Sequence, residues 1–200
     1  NHKRNIIVVA MAKSPNTPQE VQVVDAESGT VLSRFVPYES TFTGGIRIAV
    51  GDMDGDGVEE IITAPGRGRA PQIRVFRQDG TELSAFRTMA YDVGFMGGVQ
   101  VAVADVNGDG ANDIITVPSS GTAQVRVFLN QWPAVVPIQP AAYREFPAFA
   151  PQFISGGVVT AADVGQIIAG SFVNIPDGKA DIFVGSGSGM PSAVNVFDVS

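Results

Sequence analysis

Four carboxylates crowd one short stretch, GDMDGDGVEEIIT at residues 51–63: Asp52, Asp54, Asp56 and Glu60. Counted from Asp52 they occupy positions 1, 3, 5 and 9 of a loop, with Gly57 at position 6. Alternate side chains of a tight turn point inward, so the three aspartates converge. Like charges at ~4 Å repel by about 1 kcal/mol per pair even in water, and more once partly buried. The chemistry such a cluster suits is the holding of a hard cation: Ca²⁺ takes about six to eight oxygens from carboxylates, carbonyls and water on a flexible loop. The carbonyl of Val58, at position 7, supplies the expected backbone ligand. Gly57 permits the sharp turn, where a side chain would obstruct.

The pattern returns 53 residues later in ADVNGDGANDIIT, with Asp105, Asn107, Asp109, Gly110 and Asp113 at the same positions and the carbonyl of Ala111 at position 7. A third copy starts at Asp163 and ends in Asp177-Gly178-Lys179-Ala180-Asp181, with ten extra residues between its first and second halves. Asp163, Asp177 and Asp181 match positions 1, 5 and 9, and Asn174 is the candidate for position 3. Recurrence separates these loops from ordinary acidic turns. Two Ca²⁺ sites are therefore expected from the intact copies, and a third depends on the split one.

An EF-hand begins similarly, but it needs a bidentate Glu at position 12 and flanking helices. Position 12 is Thr63 in the first loop and Thr116 in the second. The flanks, IRIAV before and EIITA after, are β-branched and alternating, as strands are. Each loop is thus expected to close a β-hairpin.

The repeating unit has four strands. Strand a leads into the acidic loop and strand b leaves it. A Gly/Pro-rich b–c loop follows, then strand c (QIRVF at 72–76, QVRVF at 124–128, AVNVF at 193–197) and strand d, ending in Phe35, Phe86 or Phe146. A d–a link carries two aromatics and small residues: Tyr38, Phe42 and Gly44-Gly45, then Tyr91, Phe95 and Gly97-Gly98, then Phe149, Phe153 and Ser155-Gly156. No long amphipathic helix pattern occurs. Units of 50–60 residues with four antiparallel strands read as propeller blades. The expected fold is all-β: about three and a half blades, with a partial blade at 1–43, blades at 44–96 and 97–154, and a partial blade at 155–200.

These residues resemble FG-GAP repeats, the blade unit of integrin α-subunit propellers and of many bacterial surface proteins. FTGG and FMGG stand for the first part of the motif, and TAPG, TVPS and VGSG for the second. The resemblance implies calcium ligands at Asp52, Asp54, Asp56 and Glu60, and at Asp105, Asn107, Asp109 and Asp113. Propellers close with four to eight blades, so the strand inventory implies a piece of a longer chain whose remaining blades are its first partners.

Composition agrees. Formal charge is −7, which disfavours nucleic acid or an anionic membrane surface as partner. Loop positions supply ten of the twenty acids. The absence of cysteine excludes disulfides, zinc–thiolate sites and cysteine nucleophiles. No apolar run approaches the ~20 residues of a membrane span.

The expected function is a calcium-stabilised binding or adhesion module, secreted or on a bacterial cell surface, with its protein or glycan ligand on the face of the b–c and d–a loops. No catalysis is expected, since the chain offers a single histidine, His2, and carboxylates pair only in the loops. A propeller domain of a secreted carbohydrate-active enzyme and a structural spacer are the alternatives. Arg67 and Arg69, in the b–c loop GRGRAP, are either contacts for an anionic ligand or solvated loop charge. Trp132 is either an exposed contact or a pin holding a long c–d connection to its blade.

Overall fold

Short apolar runs bounded by Gly, Pro and Asp turns form strands, and within each sheet the strands lie side by side in chain order. The computed structural model describes residues 5–14, 17–133, 144–164, 166–168, 171–173 and 176–198. β1 (Ile6–Ala10), β2 (Val21–Asp25) and β3 (Val31–Phe35) form the first antiparallel sheet. β4 (Ile46–Gly51), β5 (Glu60–Pro65), β6 (Gln72–Phe76) and β7 (Thr88–Met89) form the second. β8 (Val99–Ala104), β9 (Asp113–Pro118), β10 (Gln124–Phe128) and β11 (Arg144–Pro147) form the third. The fourth opens with β12 (Gly157–Ala162). A separate small hairpin, β13 (Gln166–Ile168) and β14 (Ser171–Val173), precedes β15 (Asp181–Ser186) and β16 (Val194–Phe197), which complete the sheet in the order β12-β15-β16.

The sheets stack face to face around their first strands: β4 lies beside β8, and β8 beside β12. Each interface between sheets is an apolar layer. Val21, Val23, Ile46 and Ile61 fill the first, Ile62, Val75, Val101 and Ile114 the second, and Ile115, Val125, Ile182 and Val184 the third. Consecutive residues of β5 and β9 therefore serve opposite layers, and every residue of both strands is buried. Meandering sheets packed face to face around shared inner strands are a stretch of β-propeller. The fold is all-β, as expected, and the strands run b-c-d, a-b-c-d, a-b-c-d, a-b-c.

Fourth strands are the least regular. Phe86 does not end a strand. It closes a 3-10 turn, Ser84–Phe86, and only Thr88–Met89 then pairs with β6. The ring is nonetheless buried in the second apolar layer, so the aromatic keeps its packing role where strand geometry lapses.

Polar ties recur between blades. The Tyr38 hydroxyl donates to the Gln72 carbonyl of the next blade at 3.1 Å, and Tyr91 to Gln124 at 2.7 Å. In return, a polar residue of strand c in each of the last three blades reaches back: Arg74 to the Pro37 carbonyl, Arg126 to that of Ala90, and Asn195 to that of Ala148. Close backbone approach explains the paired glycines of the links. A Cβ on Gly44 would lie 2.1 Å from the Arg67 carbonyl oxygen, and Gly45 holds a φ of +87°.

The first and last sheets each leave one face uncovered. Ile7, Val9 and Leu32 are exposed on the first, and Val158, Val194 and Val196 on the last.

Candidate metal centre

Strand pairing sets the mouth of each acidic loop identically. The last residue of strand a faces position 9: Gly51 opposite Glu60, Ala104 opposite Asp113, and Ala162 opposite Asp181. The ten extra residues of the third copy fall wholly inside its loop and leave this register unchanged. The insertion accommodates the β13–β14 hairpin.

Within the loops, one hydrogen-bonded frame is built three times. The position 1 carboxylate accepts backbone N–H groups across the turn. Asp52 takes Gly55 at 2.7 Å and Gly57 at 2.9 Å; Asp105 takes Gly108 and Gly110, both at 2.7 Å; Asp163 takes Gly178 at 2.9 Å. The position 5 carboxylate accepts from position 7: Asp56 from Val58, Asp109 from Ala111, and Asp177 from Lys179. The position 9 carboxylate accepts from the residue after position 1: Glu60 from Met53, Asp113 from Val106, and Asp181 from Val164. Gly55 and Gly57 have φ of +73° and +83°, a left-handed conformation costly for other residues.

The frame is shared, but the charge it gathers is not. In the first loop, oxygens of Asp52, Asp54 and Glu60 lie within 4.8 Å of one another, and this trio could hold a metal ion. The Asp54 side chain is 6% exposed. Its Oδ2 accepts from the Arg77 guanidinium at 2.9 Å, while its Oδ1 is buried with no hydrogen-bond partner. An orphaned, buried oxygen on a carboxylate clustered with two further acids is what a cation would satisfy. Asp56 is exposed and stands outside the trio, as does Val58.

Burial pushes the Glu60 carboxyl up to about 7; the charges of Asp54, Asp56 and Asp52 add to that, and the Met53 N–H opposes it. Asp113 rises to about 6, again mainly through burial, against N–H groups from Asn130 and Val106. Asp181 is raised by burial too. Each position 9 acid is thus held where its charge is unfavourable without a neighbouring cation.

Among the described residues, no comparable trio of acids forms in the other loops. Asn107 occupies position 3 of the second, with its amide nitrogen 2.9 Å from Asp109. Asp113 is fully buried, and each of its oxygens already accepts an N–H, Oδ2 from Val106 and Oδ1 from Asn130 at 2.9 Å. In the third loop Asp163, Asp177 and Asp181 keep their places in the frame, and Asn174 lies outside the described residues.

The loops also brace one another. Asn112 donates to the Asp52 carbonyl at 3.0 Å, Ala180 N–H to the Asp105 carbonyl at 2.7 Å, and buried Asn130 to the Met53 carbonyl at 2.8 Å. Sequence reasoning missed Asn130, whose counterpart in the preceding blade is Gln78, so no repeat marks it. It also missed Arg77, although that residue follows strand c, where the c–d turn returns to the acidic-loop face.

Residues 52–116 match the family model for the FG-GAP-like repeat. This stretch is similar to an FG-GAP-like repeat. The match runs from the first Asp of the first loop to Thr116, at position 12 of the second, so it spans one blade-to-blade period with both intact loops. No curated protein matches the chain.

The two arginines singled out in the b–c loop GRGRAP part company. Arg69 stacks on Tyr38, with its guanidinium carbon 4.1 Å from the ring centroid, and pairs with Glu39 at 3.1 Å. It latches its b–c loop to the preceding link. Arg67 is exposed. Trp132, 44% exposed, stacks on Phe86 of the preceding blade with centroids 5.7 Å apart.

Proposed function

We propose that the chain is a calcium-braced propeller segment of a secreted or cell-surface protein, and that it binds a partner and catalyses nothing. The observation that carries the calcium reading is the unpartnered, buried Asp54 oxygen inside the Asp52–Asp54–Glu60 trio. Asp52, Asp54, Asp56, Glu60 and the Val58 carbonyl would hold the ion in the first loop. Asp105, Asn107, Asp109, Asp113 and the Ala111 carbonyl would do so in the second. The ion would neutralise buried acids and tie strand a to strand b.

Extracellular calcium modules bind at about 10⁻⁴–10⁻³ M. At millimolar calcium each filled site then adds about 1 kcal/mol, and at cytosolic levels almost nothing. That dependence supports an extracellular setting. Among the described residues, no helix is long and apolar enough to cross a membrane. The exposed faces of Ile7, Val9 and Leu32, and of Val158, Val194 and Val196, suit further blades packed as the described ones are.

Calcium loops and c–d turns share one face, as the Arg77–Asp54 pair attests, and b–c loops and d–a links share the other, as Arg69–Glu39 does. Loops on a rigid scaffold are the usual seat of recognition, so the partner is assigned to the second face. The test is a thermal melt in millimolar calcium and in chelator. Two filled sites raise the midpoint by about 4–8 °C for a domain of this size; coincident melts would remove the calcium reading.

A further inference from the structure

On the b–c/d–a face, where the inner strands begin, the blades surround a cavity of about 390 Å³. Its wall takes the second residue of three successive strands a, namely Arg47, Gln100 and Val158, together with residues of the b–c loops, including Lys13, Arg67 and Ser119. In a chain of net charge −7, among the described residues no carboxylate lines this cavity and three cations do. Arg34, Arg69, Arg74, Arg77, Arg87 and Arg126 each pair with an acid. Among the described residues, Lys13, Arg47 and Arg67 have no such pair. Three unneutralised cations around one hollow repel one another, and an anion seated between them relieves that repulsion.

We propose that this cavity binds an acidic sugar unit, with its carboxylate or sulfate held by Arg47 and Arg67. The inference rests on the assignment of the partner to this face, and it names the ligand chemistry. Arginine offers a planar fork matched to a carboxylate or sulfate, and Lys13 adds a point charge. The rest of the wall suits hydroxyl groups. Gln100 is held by a 3.1 Å hydrogen bond to Ser119, and Ser155 and Ser188 add hydroxyls. Among the described residues Val158 is the one large apolar side chain in the lining, which disfavours an acidic peptide seeking apolar contact. The volume lies in the range of small-ligand sites.

Calorimetric titration of the full chain in calcium with glucuronate, glucose, inorganic sulfate and a capped glutamate tests this. Glucuronate is expected to bind at least tenfold tighter than the other three. Arg47→Gln with Arg67→Gln is expected to weaken glucuronate at least tenfold, leaving the melting midpoint and its calcium shift unchanged. Equal affinity for glucose, for sulfate or for glutamate overturns the assignment, as does a double variant that binds like the parent. The chelator melt of the same protein keeps the two readings apart. A normal calcium shift without glucuronate binding removes this site alone, and a missing shift removes the calcium reading whatever the sugar does.

Discussion

The first and second acidic loops have identical spacing and an identical hydrogen-bonded frame, yet they distribute charge differently. The first gathers Asp52, Asp54 and Glu60, and one buried oxygen of Asp54 has nothing to bond. The second puts Asn107 at position 3, and Asp113, buried as Glu60 is, has both oxygens taken by backbone N–H groups. Glu60, one methylene longer, accepts one such N–H through Oε2. The frame therefore fixes the turn, while the side chain at position 9 is divided between bracing the blade and facing an ion. In the second loop bracing weighs more, and in the first the ion does.

The largest effect that separates the two roles should come from Asp113→Ala. It strands the N–H groups of Val106 and Asn130 in the interior, at a cost of about 3 kcal/mol. The melting midpoint falls by about 6–12 °C in chelator, and in calcium by that much plus the smaller increment of its own site. A fall confined to the calcium sample would make Asp113 chiefly a ligand and dissolve the contrast. Glu60→Gln should behave oppositely. The amide oxygen still accepts from Met53, the buried charge is gone, and the chelated protein melts no lower than the parent. The loss is of the calcium increment, about 1 kcal/mol for this site.

The pH dependence sharpens the same contrast. A carboxyl whose folded value lies above its unfolded one binds more protons when folded. The stability contributed by protonated Glu60 and Asp113 is therefore fully present below the ordinary carboxylate range. It is lost as pH rises through about 6 for Asp113 and about 7 for Glu60. In chelator the melting midpoint should decline from pH 5 to pH 7.5. Calcium needs the ionised forms, so its increment should grow over the same interval. A chelated protein that gains stability over that interval would show these acids to be well compensated without an ion.

Much of this was legible because repeats make a sequence test itself. Loop spacing, strand period and the aromatic–glycine link each recur, and the resulting blade order matches the sheets. The d strand around Phe86 was not legible, because one aromatic packs equally well from a strand or from a 3-10 turn. The difference between the two arginines of GRGRAP was hidden for another reason: Arg69 is fixed by Glu39 and Tyr38, which lie 30 and 31 residues away in the preceding link. Cross-blade partners such as Asn130 and Met53 sit 77 residues apart and carry no local pattern at all.

The smallest effect is the most discriminating. Arg77, half exposed, holds Asp54 Oδ2 at 2.9 Å and sets a positive charge beside the trio. An exposed partner of this kind contributes about 0.2–1 kcal/mol. If its guanidinium stands in for the metal charge, Arg77→Ala has opposite consequences in the two conditions. In chelator the midpoint falls slightly, because Asp54 loses its one counter-charge. In calcium the increment grows, because the ion no longer competes with a neighbouring positive group for Asp54. Calcium affinity by titration should rise a few-fold, with no matching change from the equivalent truncation at Leu129, the residue after Phe128 in the next blade. An equal loss in both conditions would mean that Arg77 braces the loop whether or not the ion is there, and the first loop would then resemble the second more closely than its acids suggest.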